Sequence, residues 1–409
     1  MIQSIRKRPW STPVVALVTI GALLPAQTVT ARPTMAEAVA FALRFSPELT
    51  IARLQVDSAQ GERAIARALP NPTFSVTPGN PFQYSVTQPA DIGPGRVYRG
   101  RAAARGITAA RLDEQNVERQ LVFAVRQSFL DLQLAEATRD IAFQQDTIMR
   151  RLLQSDSLRF LEGDLAQRDL YTTELQSAHA EANLARAEAV ARGARINLQV
   201  LIGVQHPDTA FRVTGALEYR ALDLPLDSAM GVALANRPDV AAAGERVEQS
   251  RAMRSLASSL ILPVPGVTAV RQSAPFSTGS NYALGVSLSL PIVYWFSGER
   301  ARATAGVQSA EVSKQRAIAA TEGDIAVAAN NFAAARALSA RYASGLLAKA
   351  RAALEMQRFA YEHGSASLLD LLTAINAFGD TQTDYYTALR DYWVAAYAMV
   401  RAVGRDLTP

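Results

Sequence analysis

Two long stretches without proline constrain this chain more than any other feature. From Pro94 to Pro207 there are 112 intervening residues with none, and from Pro291 to Pro409 there are 117. Both stretches are rich in Ala, Leu, Arg, Gln and Glu, which are strong helix formers, and proline breaks a helix interior. The first stretch predicts a helix from near Arg101 to Phe160, a turn around Gly163, and a second helix to Gly203. The second predicts a helix from about Gly298 to Tyr361 and another from Gly364 to Gly404. About 60 residues at about 1.5 Å each make a rod on the order of 90 Å long, which no compact domain accommodates in its core. The run AVAANNFAAARALSARYASGLLAKARAAL carries small residues on more than one face. That suits a helix with a neighbour on each side, as in a closed ring of helices, better than a two-stranded coiled coil.

The two stretches are copies of one unit. Gly163 and Gly364, each followed six residues later by an Asp, lie 201 apart, as do the glycines of LIG at Gly203 and AVG at Gly404. A period of this length means duplication of a supersecondary unit. A shorter repeat, read as one short helix in each copy, precedes each rod, with ALRFSPEL around Pro47 matching ALANRPDV around Pro238, 191 apart.

Between the short repeat and the rod, each copy reads as a β-hairpin. From Asn281 to Pro291 the sequence alternates strictly. Tyr282, Leu284, Val286, Leu288 and Leu290 fall on one side, and Ala283, Gly285, Ser287 and Ser289 on the other. Phe82 to Pro89 alternates likewise, while Thr73–Thr77 and Gly266–Ser273 supply partner strands. Tyr294, Trp295 and Phe296 form an aromatic cluster past the strand end. Strands of about 9–11 residues with one apolar face suit a transmembrane β-barrel; a half-buried sheet on a soluble core is the alternative for any one strand. Four strands cannot close a barrel, and lipid tolerates no open sheet edge. The chain is therefore expected to oligomerise; three copies would give twelve strands, enough for a barrel with a helical tube beneath it.

Composition removes other classes. There is no cysteine, and the three histidines, His179, His206 and His363, make no ligand pattern on one helix, so neither disulfides nor thiolate or histidine metal sites are expected. The glycines of IGPGRVYRG fit neither dinucleotide nor phosphate-loop spacing, and no nucleophile motif is present. No cofactor and no enzymatic activity are expected. Residues 1–31 read as an export signal, with Arg6, Lys7 and Arg8 ahead of an apolar run from Val14 to Leu24. Removing them lowers the net charge from +5 to +2, which leaves little support for nucleic-acid binding. Beyond them no window has the apolar length of a spanning helix. The competing class is a soluble periplasmic coiled-coil adaptor or scaffold, which has no need of lipid-facing strands.

In this order and in duplicate, ALRFSPEL, ALANRPDV, LSLPIVYWFSGERARA and the two Gly-to-Asp tip motifs with LIG and AVG resemble the outer membrane efflux protein (TolC) family. The resemblance covers about Met35 to Gly404. It implies a mainly α fold with a small β part: long antiparallel helical hairpins plus four transmembrane strands, closing as a trimer into a 12-stranded barrel on an α-helical barrel. It also implies a Gram-negative outer-membrane location, contact with outer-membrane lipid, and two partners: a periplasmic adaptor and an inner-membrane RND-type pump. By this resemblance Gly163, Asp164, Gly364 and Ser365 mark the hairpin tips where the adaptor docks. Asp169, Asp370 and Tyr361 match positions at the periplasmic aperture. The resemblance departs at Ala366 and Thr373, where an Arg and an Asp of the family's drug-exporting prototype are absent. Asp169 and Asp370 either ring the pore with carboxylates or complement the helix starts beyond the tips; six residues past the glycine is late for a cap.

The expected organisation is a signal at 1–31, a first repeat at 32–203 (hairpin 71–89, tip 160–166), and an equatorial linker at 204–227. A second repeat follows at 228–404 (hairpin 266–291, tip 361–367), with a tail at 405–409. The compact chain resembles the heavy-metal cation-efflux (CzcC-like) branch, with drugs or small organic compounds as the alternative cargo.

Overall fold

The computed structural model describes residues 32–79, 82–222, 229–273 and 280–405; the expected export signal lies outside them. Helix α1 (Met35–Phe45) opens on a reciprocal cap: the Thr34 hydroxyl accepts from the Glu37 amide, and the Glu37 carboxylate accepts from the Thr34 amide. Pro47 then starts a separate helix, α2 (Pro47–Arg67), because the residue before a proline is forced out of the helical region. The pattern recurs in α5 (Ala229–Asn236) and α6 (Pro238–Ser259), with Arg237 extended at the break. The sequence motif is thus a pair of helices broken at Ser46-Pro47 and Arg237-Pro238, where a single short helix was expected.

The glycines of LIG and AVG explain themselves here. Gly203 (φ +93°) and Gly404 (φ +76°) terminate long helices against these breaks. A Cβ on Gly203 would stand 2.8 Å from the Phe45 carbonyl carbon and closer still to its oxygen; one on Gly404 would meet Arg237 Cγ at 3.2 Å. The equivalent break residues are Ser46 and Arg237, whose backbone nitrogens would stand 3.3 and 3.4 Å from those two Cβ atoms, so both copies close at the same place.

The rods are α3 (Pro94–Leu161, 68 residues) and α4 (Gln167–Leu201) in the first copy. In the second they are α7 (Ser297–Arg341), α8 (Leu347–Glu362) and α9 (Leu368–Val403). At about 1.5 Å per residue α3 is roughly 100 Å long. It begins seven residues before the expected Arg101, since proline is well placed in a first helical turn. The second rod is not continuous: a π-turn at Tyr342–Leu346, with Gly345 at φ +106°, separates α7 from α8. In the lower half the helices lie in the order α4, α3, α9, then α7 and α8; in the upper half, α2, α3, α6, α7. The edges of the palisade are therefore α2 and α4 on one side, α7 and α8 on the other.

The short helices form a belt on this palisade. Ala38, Ala42 and Leu49 pack with Leu121, Val125, Phe129 and Leu132 of α3 and with Leu198 and Ile202. Ala229 and Ala233 pack with Ile325, Ala328 and Phe332 of α7 and with the Tyr392–Val403 stripe of α9. The segment after Gly203 lies over α9, where Tyr392 donates to the Arg220 carbonyl (2.8 Å) and Trp393 Nε1 to that of Glu218 (2.9 Å).

Above the helices stand β1 (Thr73–Thr77), β2 (Phe82–Pro89), β3 (Pro265–Ser273) and β4 (Ser280–Leu288) in one antiparallel sheet, order β1-β2-β3-β4. The two copies join at β2–β3. The register sets Tyr84, Arg271 and Tyr282 in line, then Val86, Ala269 and Leu284. Residues directly opposite share a face. One face thus carries Phe74, Val76, Tyr84, Val86, Val267, Tyr282, Leu284, Val286 and Leu288. The other carries Ser75, Gln83, Ser85, Thr87, Thr268, Gln272 and Asn281. Hydroxyls pair across this polar face, Ser75 with Ser85 (2.6 Å) and Thr87 with Thr268 (2.9 Å). Among the expected strand residues, Leu290 lies beyond the end of β4: Pro291 follows it, and proline cannot donate to a ladder.

Candidate functional site

Both hairpins reverse through the same turn. Asp164 N–H donates to the Arg159 carbonyl (2.8 Å) and Gly163 N–H to that of Phe160 (3.1 Å). Ser365 N–H donates to Ala360 (2.8 Å) and Gly364 N–H to Tyr361 (3.0 Å). Each tip is a Schellman closure with glycine in the left-handed region. Around the tips large apolar side chains stand in solvent, including Leu158, Leu161, Phe359 and Leu369. Asp164 is exposed beside them, and the Ser365 hydroxyl donates to the Ala360 carbonyl (2.9 Å).

Beyond the tips the equivalent acids differ. Asp370 is part of a reciprocal cap: its amide donates to the Ser367 hydroxyl (3.2 Å), and its carboxylate accepts from the Ser367 amide (3.1 Å) and hydroxyl (2.7 Å). Those bonds from the Ser367 hydroxyl and amide hold its carboxyl below the usual aspartate range. The expectation that position six is too late for a cap is corrected. The turn consumes three residues before the helix opens at Leu368, so Asp370 is the third helical residue. At the equivalent place in α4 the cap residue is Ala166, which offers no side-chain acceptor. Asp169 is half-buried and pairs with Arg168 Nε (3.2 Å). The hydroxyl of Thr373 turns to its own helix, donating to the Leu369 carbonyl (2.7 Å).

Tyr361 belongs to a cluster that joins the two hairpins. Its hydroxyl donates to Asp156 Oδ1 (2.9 Å), and Thr173 donates to Asp156 Oδ2 (2.6 Å). Asp156 has no exposed surface, so these bonds replace its hydration. Arg159 donates to the Tyr361 hydroxyl from Nη1 (3.2 Å) and lies over its ring, 5.5 Å from the centroid. Burial first, and the Asp156 carboxylate next, push the Tyr361 phenol up to about 12. One acid on α3 thereby ties α4 and α8 together just above the tips.

Sequence reasoning missed Asp156, Arg159 and Thr173. A signal existed: Asp156 follows the buried Met149 by seven residues, so it falls on the apolar stripe of α3, where a carboxylate needs partners.

At the opposite end, Tyr282, Leu284, Val286 and Leu288 are all exposed on the apolar face. Tyr294 is set at the start of α7, where its hydroxyl donates to Glu299 (2.6 Å) and accepts from the Gly298 amide (3.1 Å). Phe296 (φ +53°) turns the chain into that helix, its ring 5.5 Å from that of Tyr294. Trp295 is exposed beside them. Among the described residues no cluster of acids and histidines is arranged to hold a metal ion, and no helix is long and apolar enough to cross a membrane.

Comparison with known proteins places these features in context. A family described as outer membrane efflux protein matches residues 229–405. The cobalt-zinc-cadmium resistance protein CzcC of Cupriavidus metallidurans is 24% identical over 381 residues, covering 91% of this chain and 90% of CzcC. The outer membrane channel CmeC of Campylobacter jejuni superposes with a TM-score of 0.81 at 16% identity, over 90% of this chain and 85% of CmeC. The outer membrane protein VceC of Vibrio cholerae superposes with a TM-score of 0.75 at 18% identity, over 91% and 96%.

Proposed function

We propose that this chain, whose residues 229–405 match the outer membrane efflux protein family, is the outer-membrane exit duct of a tripartite efflux system, working as a homotrimer. The observation that carries the reading is the sheet. It has one apolar and one polar face, and β1 and β4 are left as open edges. Lipid forbids such edges, and three copies joined β4 to β1 close twelve strands around a polar lumen. The palisade supports the same head-to-tail contact. Ile51 and Leu54 of α2 and Tyr171, Leu175 and Val190 of α4 are exposed at one edge. Val312 and Val327 of α7 and Met356 of α8 are exposed along the other two rod segments. A heterologous contact of this kind closes into a ring when the rotation is right.

The duct is passive. An inner-membrane RND-type pump supplies the energy, and a periplasmic adaptor seats on the apolar tips around Gly163, Asp164, Gly364 and Ser365. The link from Tyr361 to Asp156 holds the second hairpin against the first and keeps the aperture narrow. Asp169 and Asp370 lie next to that aperture; capping and lining are compatible for Asp370, whose side chain is exposed. The similarity to CzcC supports heavy-metal cations as cargo, and a duct need not bind what it passes.

Cross-linking in detergent and recording in planar bilayers test the channel. A trimer with a conducting pore is expected; a water-soluble monomer without a pore would defeat the reading. Cargo is tested separately, by deleting the gene and measuring tolerance to cobalt, zinc and cadmium. Tolerance should fall, and unchanged tolerance would remove metal export while leaving the channel in place.

A further inference from the structure

The four strands contain a single charged residue, Arg271 of β3, and it stands on the apolar face. The register lines it up with Tyr84 on β2 and Tyr282 on β4. One step towards the helices the line is Val86, Ala269 and Leu284. Because Ala269 is small and its neighbours are large, the face is not flat there. Tyr84, Val86, Tyr282 and Leu284 wall a furrow of about 530 Å³, with Ala269 in its floor and Arg271 at its outer end. Arg271 lies two residues before the end of β3, at the end of the sheet away from the helices.

We propose that this furrow is a binding site for a phosphate-bearing lipid of the outer leaflet, with Arg271 on the phosphate and an acyl chain along Ala269. The inference rests on the barrel reading above, which turns this face to lipid. Three features of the site match that ligand. A guanidinium on a lipid-facing strand is tolerated near the headgroups and disfavoured at the midplane, and arginine matches phosphate geometry with paired donors. Two tyrosines at the same level have the amphipathic rings that favour that depth. The space beside the charge is lined by Val86, Ala269 and Leu284, so one amphiphile fits both parts. The furrow is bounded by β2, β3 and β4 of one chain, and closing the ring through β1 and β4 leaves it uncovered.

Native mass spectrometry of the detergent-solubilised protein, titrated with diphosphoryl lipid A and with its dephosphorylated form, tests the site. The wild type should bind the diphosphoryl form at least about tenfold more tightly. Arg271→Gln should erase that preference, and Arg271→Lys should keep part of it. Ala269→Trp, which fills the furrow and leaves the charge, should weaken both lipids. Equal affinity of the wild type for the two lipids, or an undiminished preference in Arg271→Gln, would overturn the proposal. The wild-type comparison needs no variant to fold. Conductance of the wild type in planar bilayers separates the two failures: a conducting pore without lipid preference sinks only this site, whereas no pore sinks the barrel itself.

Discussion

The two hairpins share one plan, a long helix reversed at a glycine turn, and are held very differently. The first rod, α3, is unbroken over 68 residues and buries fourteen side chains along its length, because it has α4 or α2 on one side and α9 or α6 on the other. The second, α7 with α8, buries seven and forms an edge of the protomer. Between Ser339 and Leu354 it buries none, and there the π-turn at Gly345 interrupts it. The equivalent stretch of α3 buries Ile141, Ala142, Asp146 and Met149. An inner rod is clamped by its own chain. An edge rod depends on its neighbours, and a break in its hydrogen-bond ladder marks where it can bend.

The sharpest test of this asymmetry is at the helix-closing glycines. Gly203→Ala forces a methyl group into the Phe45 carbonyl as well as into a positive φ, at a cost of about 3–5 kcal/mol. Gly404→Ala meets Arg237 Cγ at 3.2 Å and the Arg237 backbone only at 3.4 Å, so it should cost about 1–2 kcal/mol, mostly through the positive φ. Thermal melts of the two variants would show the ranking; equal losses would mean the two breaks are equally compliant.

The link between hairpins comes next. Asp156→Ala leaves the Tyr361 and Thr173 hydroxyls without their shared acceptor and should cost about 2–3 kcal/mol. In single-channel recordings it should widen the aperture and raise conductance, with Tyr361→Phe doing so to a lesser degree. Unchanged conductance in both would remove Tyr361 from the closed state. The link should also fail with alkali. Tyr361 titrates near 12, against 10 for an ordinary tyrosine, so the folded state holds this proton more tightly than the unfolded state does. That contribution is complete below pH 10 and fades as pH rises towards 12. Conductance measured across this range should climb, and Tyr361→Phe should flatten the profile.

Smaller effects probe the π-turn. Gly345→Ala places a side chain at φ +106° and should cost about 1–2 kcal/mol. Gln144→Gly, at the matching place in α3, should cost about 1 kcal/mol through helix propensity alone. Hydrogen exchange would tell them apart: only residues around Gly345 should exchange fast in the wild type, and equal protection of both rods would refute the bend.

The smallest stability change is expected at the acids past the tips. Asp370→Asn should cost about 0.5–1 kcal/mol through the weakened cap and helix-start charge, and Asp169→Asn less. Block of the pore by multivalent cations is the sharper readout. Loss of block in Asp370→Asn places the carboxylate on the lumen as well as in the cap.

Much of this was legible because it rests on spacing. Proline gaps predict rods, equal offsets predict duplication, and strict alternation over Asn281–Leu288 predicts a face that the register then extends across all four strands. The role of Asp370 was misread for a local reason: where the helix opens depends on how many residues the turn consumes, and Ser367 settled that. Asp156 carried no motif, since its importance comes from Tyr361, about 200 residues away in sequence. The break at Gly345 was hidden because a lone glycine in ALSARYASGLLAKARAAL costs only about 1 kcal/mol in a helix, too little by itself to mark an interruption among so many helix formers.

The amino-acid sequence by itself determined the length of the rods, the positions of the reversals, the two faces of the sheet and the existence of two copies. These follow from local sterics and from periods of 2 and 3.6 residues, which act over a few neighbours at a time. Tertiary structure alone decided which rod lies inside and which at the edge, and which acid on α3 receives the second hairpin. It also decided that Arg271 meets two tyrosines over a furrow. Each of these depends on residues brought together from far apart in the chain, and no local rule specifies such a meeting.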